Sequence, residues 1–240
     1  MRISDKILLG TFCFIVIAGA AAHLVLYMKF HSGDMISEAK MREQQFNAYT
    51  LPPFRYVKIE GLQNLRIIPS SKQGLQINKN AADRTSFEIK GDSLLLTGDI
   101  NAYEATRYSY GPIVRDLEID LFLNGPVPIA VAYSNLQVSG SRDSLQAPDY
   151  QLSVSNTRLQ LGEFLYFDSL PSYFNRVHIS ASNQSEIRFT KKIDSLHIDL
   201  SNSLLSDEDW GRFGYIQLYL NGSSRIRLDA HNVAGMLNQK

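Results

Sequence analysis

The feature that most narrows the choice of fold is a short pattern that returns five times in the second half of the chain. AVAYSNLQV at 130–138, LSVSNTRLQL at 152–161, ISASNQSEIRF at 179–189, IDLSNSLL at 198–205 and LYLNGSSRIRL at 218–228 each alternate into a small polar pair, with apolar residues again beyond it. Aligned on that pair, the corner is Asn135, Asn156, Asn183, Asn202 and Gly222, at spacings of 21, 27, 19 and 20 residues. Apolar residues at period two mark half-buried strands. Asn and Gly accept positive φ most readily, so Gly222 in the register of four Asn predicts a left-handed bend at each corner. Strands that repeat at this spacing and stack about 4.8 Å apart make the coils of a β-solenoid. Two polar ladders are expected along the stack: Asn amides bonded to one another, and a row of Ser134, Ser155, Ser182 and Ser201.

Upstream the same period of two continues without the repeat. Val57 and Ile59, Leu65 and Ile67, the stretch FEIKGDSLLLTGDI, and Leu117, Ile119, Leu121 and Leu123 read as strands, punctuated by Glu60-Gly61, Gly91-Asp92, Gly98-Asp99 and Asn124-Gly125-Pro126. No helical pattern of convincing length follows residue 53, so the body is expected to be all-β. Ahead of it, ILLGTFCFIVIAGAAAHLVLYM, residues 7–28, carries no formal charge. At helical rise its 22 residues span roughly 33 Å, enough for the hydrocarbon core of a bilayer. A cleavable signal peptide is the competing reading, given the basic start and Ala20-Ala21-Ala22, but HLVLYM extends the apolar run past that point. The organisation expected is a cytoplasmic start (1–6), a transmembrane signal anchor (7–28), a juxtamembrane linker (29–53), an N-terminal β region (54–128), β-solenoid repeats (129–233) and a tail (234–240). The short N-terminal flank places the body in the periplasm or outside.

Beyond residue 31 the chain holds 21 basic and 23 acidic residues, a net of −2, which is no electrostatic footprint for nucleic acid, whose binding draws on clustered Lys and Arg. The single cysteine, Cys13, lies in the apolar run, so neither a disulfide framework nor a thiolate metal site is available to the body.

FRYVKIEGLQNLRIIPS, FEIKGDSLLLTGD and the Ser-Asn corners together resemble the auto-transporter adhesin head domains, also called GIN domains, of Gram-negative envelope proteins. The resemblance covers roughly residues 54–233. It implies a right-handed parallel β-helix and an adhesive or envelope-associated role, with no catalytic residues to carry over. The chain departs from the family in using Ser-Asn where Ser-Gly prevails.

Several clusters invite a functional reading. His178 and His197 each precede an Asn corner by five residues, so equal register stacks them on adjacent coils, opposite the inward Ile179 and Ile198, with Asp199 nearby. Two imidazoles fall short of a zinc site, and a solvated polar row is the favoured reading. The excursion EFLYFDSLPSYFN lengthens one repeat and carries Phe164, Tyr166, Phe167, Tyr173 and Phe174. Such aromatics stack on sugar rings or anchor a protein partner, although a loop folded over the side of the stack is preferred. Trp210 sits beside three carboxylates in SDEDWGR, read as a solvated acidic turn.

The expectation is an all-β, right-handed parallel β-helix or β-solenoid-like domain after one transmembrane helix in a bacterial cell membrane. It would serve as a non-enzymatic, adhesin-like binding module for a glycan or envelope protein, without a cofactor. A self-associating envelope scaffold and a polysaccharide-active enzyme are the alternatives.

Overall fold

A computed structural model describes residues 3–31, 43–106, 118–162, 172–207 and 212–237, and every structural statement below concerns those residues. Two compact units emerge, Met1–Gln45 and Phe46–Lys240. In the first, α1 (Ile3–His31) contains a span, Leu9–Lys29, of mean hydropathy 2.2, long and apolar enough to cross a membrane or to act as a signal sequence.

The second unit is mostly β and consists of two large sheets. Its strands are β1 (Phe46–Thr50), β2 (Tyr56–Glu60), β3 (Leu65–Pro69), β4 (Gly74–Asn78), β5 (Ser86–Lys90), β6 (Ser93–Thr97), β7 (Ile119–Leu123), β8 (Pro128–Ala132) and β9 (Asn135–Val138). They continue with β10 (Tyr150–Ser155), β11 (Arg158–Leu161), β12 (Tyr173–Ser182), β13 (Glu186–Phe189), β14 (Lys192–Ser201), β15 (Leu204–Asp207), β16 (Arg212–Asn221) and β17 (Arg225–Arg227). Two helices, α2 (Ile100–Thr106) and α3 (Ala230–Leu237), and two short 3-10 helices, Ala82–Arg84 and Ser144–Gln146, complete the named elements. Two expectations are corrected here. Phe46–Thr50, placed in the linker, forms β1 and pairs antiparallel with β4, with Tyr49 packed against the core. Ala230–Leu237, divided between repeat and tail, is one helix.

From β8 to β17 consecutive strands alternate between the sheets, and every pairing among them is parallel. A strand of the eight-stranded sheet and the next strand of the nine-stranded sheet make one rung. The first rung, β2 with β3, is not at an end: β6 and β8 flank β2, and β7 and β9 flank β3. The two outer edges at this end are antiparallel additions, β5 on β6 and β1 on β4, and Tyr49 meets Phe87 across them with ring centroids 4.8 Å apart.

Stacking in register gives the core its form. Leu94, Val57, Ile129, Leu152, Ile179 and Ile198 form one inward row in the eight-stranded sheet, all 1 % exposed or less. Ile119, Leu65, Leu136, Leu159, Ile187 and Leu205 face them from the other sheet, each fully buried. Burying one such side chain contributes about 1.5–3 kcal/mol, so these rows dominate cohesion.

The corners between the sheets show where the sequence alignment slips. Asn156, Asn183, Asn202 and Gly222 have φ of 48, 54, 51 and 62°, the left-handed bend expected. Asn135 does not: it starts β9 opposite Arg158, and the corner of its rung is Tyr133, with φ of 51°. The reason is backbone register, because Ala132 pairs with Ser155 and with Glu60, which puts Tyr133 beside Asn156 and Gly61. Ser134 therefore leaves the row of Ser155, Ser182 and Ser201 for a different column, with Thr157, Ser185, Ser203 and Ser224. In that column each hydroxyl donates to a carbonyl of its own corner, Ala132, Ser155, Ser182, Ser201 and Asn221, at 2.6–2.9 Å. Three of them also accept a backbone N–H from the adjoining rung: Leu62 on Ser134, Thr157 on Ser185 and Ser203 on Ser224. Buried backbone groups at a sheet-to-sheet corner lack ladder partners, and this hydroxyl column supplies them. The Asn amides bond across rungs differently from the expected amide ladder: Asn183 Nδ2 donates to Ser155 Oγ at 2.9 Å, and Asn202 Oδ1 accepts from Ser223 N–H at 3.0 Å. A Cβ at Gly222 would meet that same Asn202 amide, so glycine leaves the amide room as well as accepting the positive φ.

Two further arrangements hold the body. Arg66 and Asp120, opposite each other on β3 and β7, make a two-bonded ion pair at 2.9 and 3.1 Å with Asp120 fully buried. At the far end Asp229 caps α3 by accepting the Asn232 N–H at 2.7 Å and receives Arg212 of β16 at 2.9 Å. That N–H, and then the Arg212 charge, hold the Asp229 carboxyl below its ordinary pKa. Asp207 accepts the Asp229 N–H and the Asn232 amide, so part of the acidic turn is a docking point for the helix.

Candidate functional site

The outward face of the eight-stranded sheet is organised by the same register. Along one column Lys58, Ala130, Ser153, Ser180, Asp199 and Tyr219 lie side by side on β2, β8, β10, β12, β14 and β16. In the next, Glu60, Ala132, Ser155 and Ser182 follow one another, and Ser201 pairs with Asn221. Short side chains on the middle strands between long ones at either end leave a trough of about 550 Å³. Five strand spacings separate β2 from β16, so the columns run roughly 24 Å.

Of the rings on this face, Tyr219 lines the trough, while His178 and His197 occupy the next column and Tyr215 the one beyond. His178 and His197 are direct cross-strand partners with ring centroids 6.2 Å apart and planes inclined by 27°, on the face opposite Ile179 and Ile198 as expected. His197 also lies 5.8 Å from the Tyr215 ring. His178 Nε2 reaches the Asp199 carboxylate diagonally at 3.7 Å. Gln217 contacts the Tyr219 hydroxyl. Tyr215 and Tyr219 are 45 % and 58 % exposed, so their faces are open to a ligand. Among the described residues no group of three or more His, Cys, Asp or Glu is placed to hold a metal ion. The two histidines sit in a polar, ring-bearing row beside Asp199.

The other expected residues fall elsewhere. Phe164, Tyr166, Phe167 and Trp210 lie outside the described residues. Tyr173 opens β12, half-buried, and its backbone exchanges two hydrogen bonds with Ser141 at 2.8 and 3.0 Å. Phe174, expected on a binding surface, is 1 % exposed and packs on Tyr150, so it is a core residue; its strand alternation turns it inward in the row of Ile193. The Tyr150 hydroxyl donates to the Ser139 carbonyl at 2.8 Å, and burial pushes its pKa well above the ordinary value. Tyr215 and Tyr219 escaped sequence reading, although each stands two residues from Gln217, the cross-strand partner of His197, which places both on the histidine face.

No protein-family model matches the chain, and no curated protein matches its sequence. Among solved structures it is similar to a "putative adhesin" from Parabacteroides distasonis, at 10 % identity over 76 % of this chain and 71 % of that one, with a TM-score of 0.44. A "putative adhesin" from Bacteroides fragilis is similar at 13 % identity over 77 % and 96 %, with a TM-score of 0.33. A "putative lipid binding protein" from Parabacteroides distasonis follows at 10 % identity over 77 % and 96 %, with a TM-score of 0.30.

Proposed function

We propose that the chain is an adhesin-like binding module of a bacterial cell envelope, anchored by α1 as a single-pass membrane protein, that holds a glycan and performs no chemistry. In this reading its rungs are the coils of a right-handed parallel β-solenoid facing the periplasm or exterior. The observation that carries the binding role is the trough bordered by Tyr219, with His178 and His197 in the next column. Its floor of Ala and Ser admits an extended chain close to the sheet, and rings at its side offer apolar faces with polar tips, the combination that suits sugar rings. A column of cross-strand positions about 4.8 Å apart also matches a partner that is itself a repeating polymer.

The test is a screen of the full chain in detergent micelles against envelope and host glycans, followed by titration of any binder. Ser180→Trp fills the trough and Tyr219→Ala removes the ring that lines it, and each is expected to weaken binding at least tenfold with an unchanged circular dichroism spectrum. Glycan binding that ignores both substitutions, or no glycan binding at all, overturns the reading.

A further inference from the structure

The strands that end the two sheets are finished unequally. β5 is five residues long with Glu88 and Lys90 exposed, and β17 is three residues long with Arg225 and Arg227 exposed. Short length and charge are the usual means by which an edge resists accepting another strand. β16 has neither: it is ten residues long, and from Phe213 to Asn221 it carries no charge. α3 packs against this strand, and its cap is tied to Arg212 at the strand's first residue. At the opposite end Leu220 is 53 % exposed, although Leu200, its partner in the same inward row, is 2 % exposed.

We propose that the Gln217–Asn221 end of β16 pairs antiparallel with the same segment of a second copy, about a two-fold axis through Tyr219. Tyr219 then faces its own copy, Leu218 faces Leu220 of the other chain, and Gln217 faces Asn221. A second copy is the fitting occupant because the segment complements itself on both faces. The leucines, inward on β16 in register with Ile198 and Leu200, meet leucines and continue the core across the junction. On the outer face tyrosine meets tyrosine and amide meets amide, with no like charges opposed. The same patch on both partners, related by a two-fold axis, is a self-complementary interface that closes at two chains. Arg225 and Arg227, on the neighbouring edge of the other sheet, approach their own copies, so screening of that repulsion by salt favours the dimer.

The experiment uses the full chain in detergent micelles, with Cys13→Ser in every variant. A residue on the two-fold axis pairs with itself at about 4.5–5.5 Å between Cα atoms, within reach of a disulfide. Tyr219→Cys is therefore expected to yield a covalent dimer on oxidation, while Ser153→Cys, exposed on the same face but central in the sheet, does not. Light scattering should show the protein mass doubled from 27.1 kDa in the Cys13→Ser parent. Leu220→Lys, at a half-exposed position that tolerates the change, should raise the dissociation constant at least tenfold with an unchanged circular dichroism spectrum. Equal cross-linking at 219 and 153, a monomeric parent, or a dimer indifferent to Leu220→Lys overturns the proposal.

Discussion

Residues 46–128 and residues 129–229 build the same two sheets by different means. In the later region each rung is laid on the one before it, so every corner faces the same demands and the chain meets them with one kind of solution: a left-handed residue followed by a buried hydroxyl. In the earlier region the rung β2–β3 is enclosed by segments that arrive later, β4 and β5 run against their neighbours, and a buried ion pair joins β3 to β7. Translational stacking makes a repeat readable, whereas a region whose contacts each arise once leaves no repeat to read.

The sharpest expected difference lies in how each region fails. Asp120→Ala strands the part-buried Arg66 guanidinium, and breaking such a pair costs about 3–5 kcal/mol; urea unfolding followed by fluorescence should show the midpoint falling accordingly. Ser185→Ala removes one member of the hydroxyl column, leaving the Thr157 N–H and the Ser182 carbonyl without that partner, for a loss of about 1–3 kcal/mol in the same assay. A larger loss at Ser185 than at Asp120 would reverse the contrast, placing the critical polar groups in the regular region. Tyr133 marks the boundary between the two, a bulky residue held at φ of 51° where Asn stands in the next three rungs. Tyr133→Asn relieves that conformation and should stabilise by about 1 kcal/mol, less whatever packing the ring supplies. If the midpoint drops instead, the ring outweighs the backbone and Tyr133 belongs to the earlier region in kind, although it stands in the later one.

The same boundary explains what the sequence made legible. Asn156, Asn183, Asn202 and Gly222 were readable because their residue types report a backbone need. Tyr133 was not, since nothing about tyrosine signals positive φ, and the Ser134-Asn135 pair two residues on offered a false match. The hydroxyl column was missed for a related reason. It lies two residues after the corner carbonyl at Ser134, Thr157 and Ser203, but three after it at Ser185 and Ser224, so no fixed spacing reveals it. The histidine pair was placed correctly because both members share one offset from true corners. The trough was invisible for the opposite reason: its floor consists of Ala and Ser, whose contribution is their small size, and only the lateral order of strands shows that they adjoin.

The enclosure of the first rung also bears on how such a chain is made. Val57 waits for Ile129, so β2 cannot gain its second neighbour until a further 72 residues have followed it. At synthesis rates of 5–20 residues per second that interval is roughly 4–14 s. A chain emerging N-terminus first spends that time with the apolar rows of its earliest strands incompletely covered, whereas each later rung finds a finished template waiting and needs only its own 19 to 27 residues. The hazard in biogenesis is therefore concentrated at the start, and a chaperone that shields residues 54–97 until β8 emerges would protect the whole body.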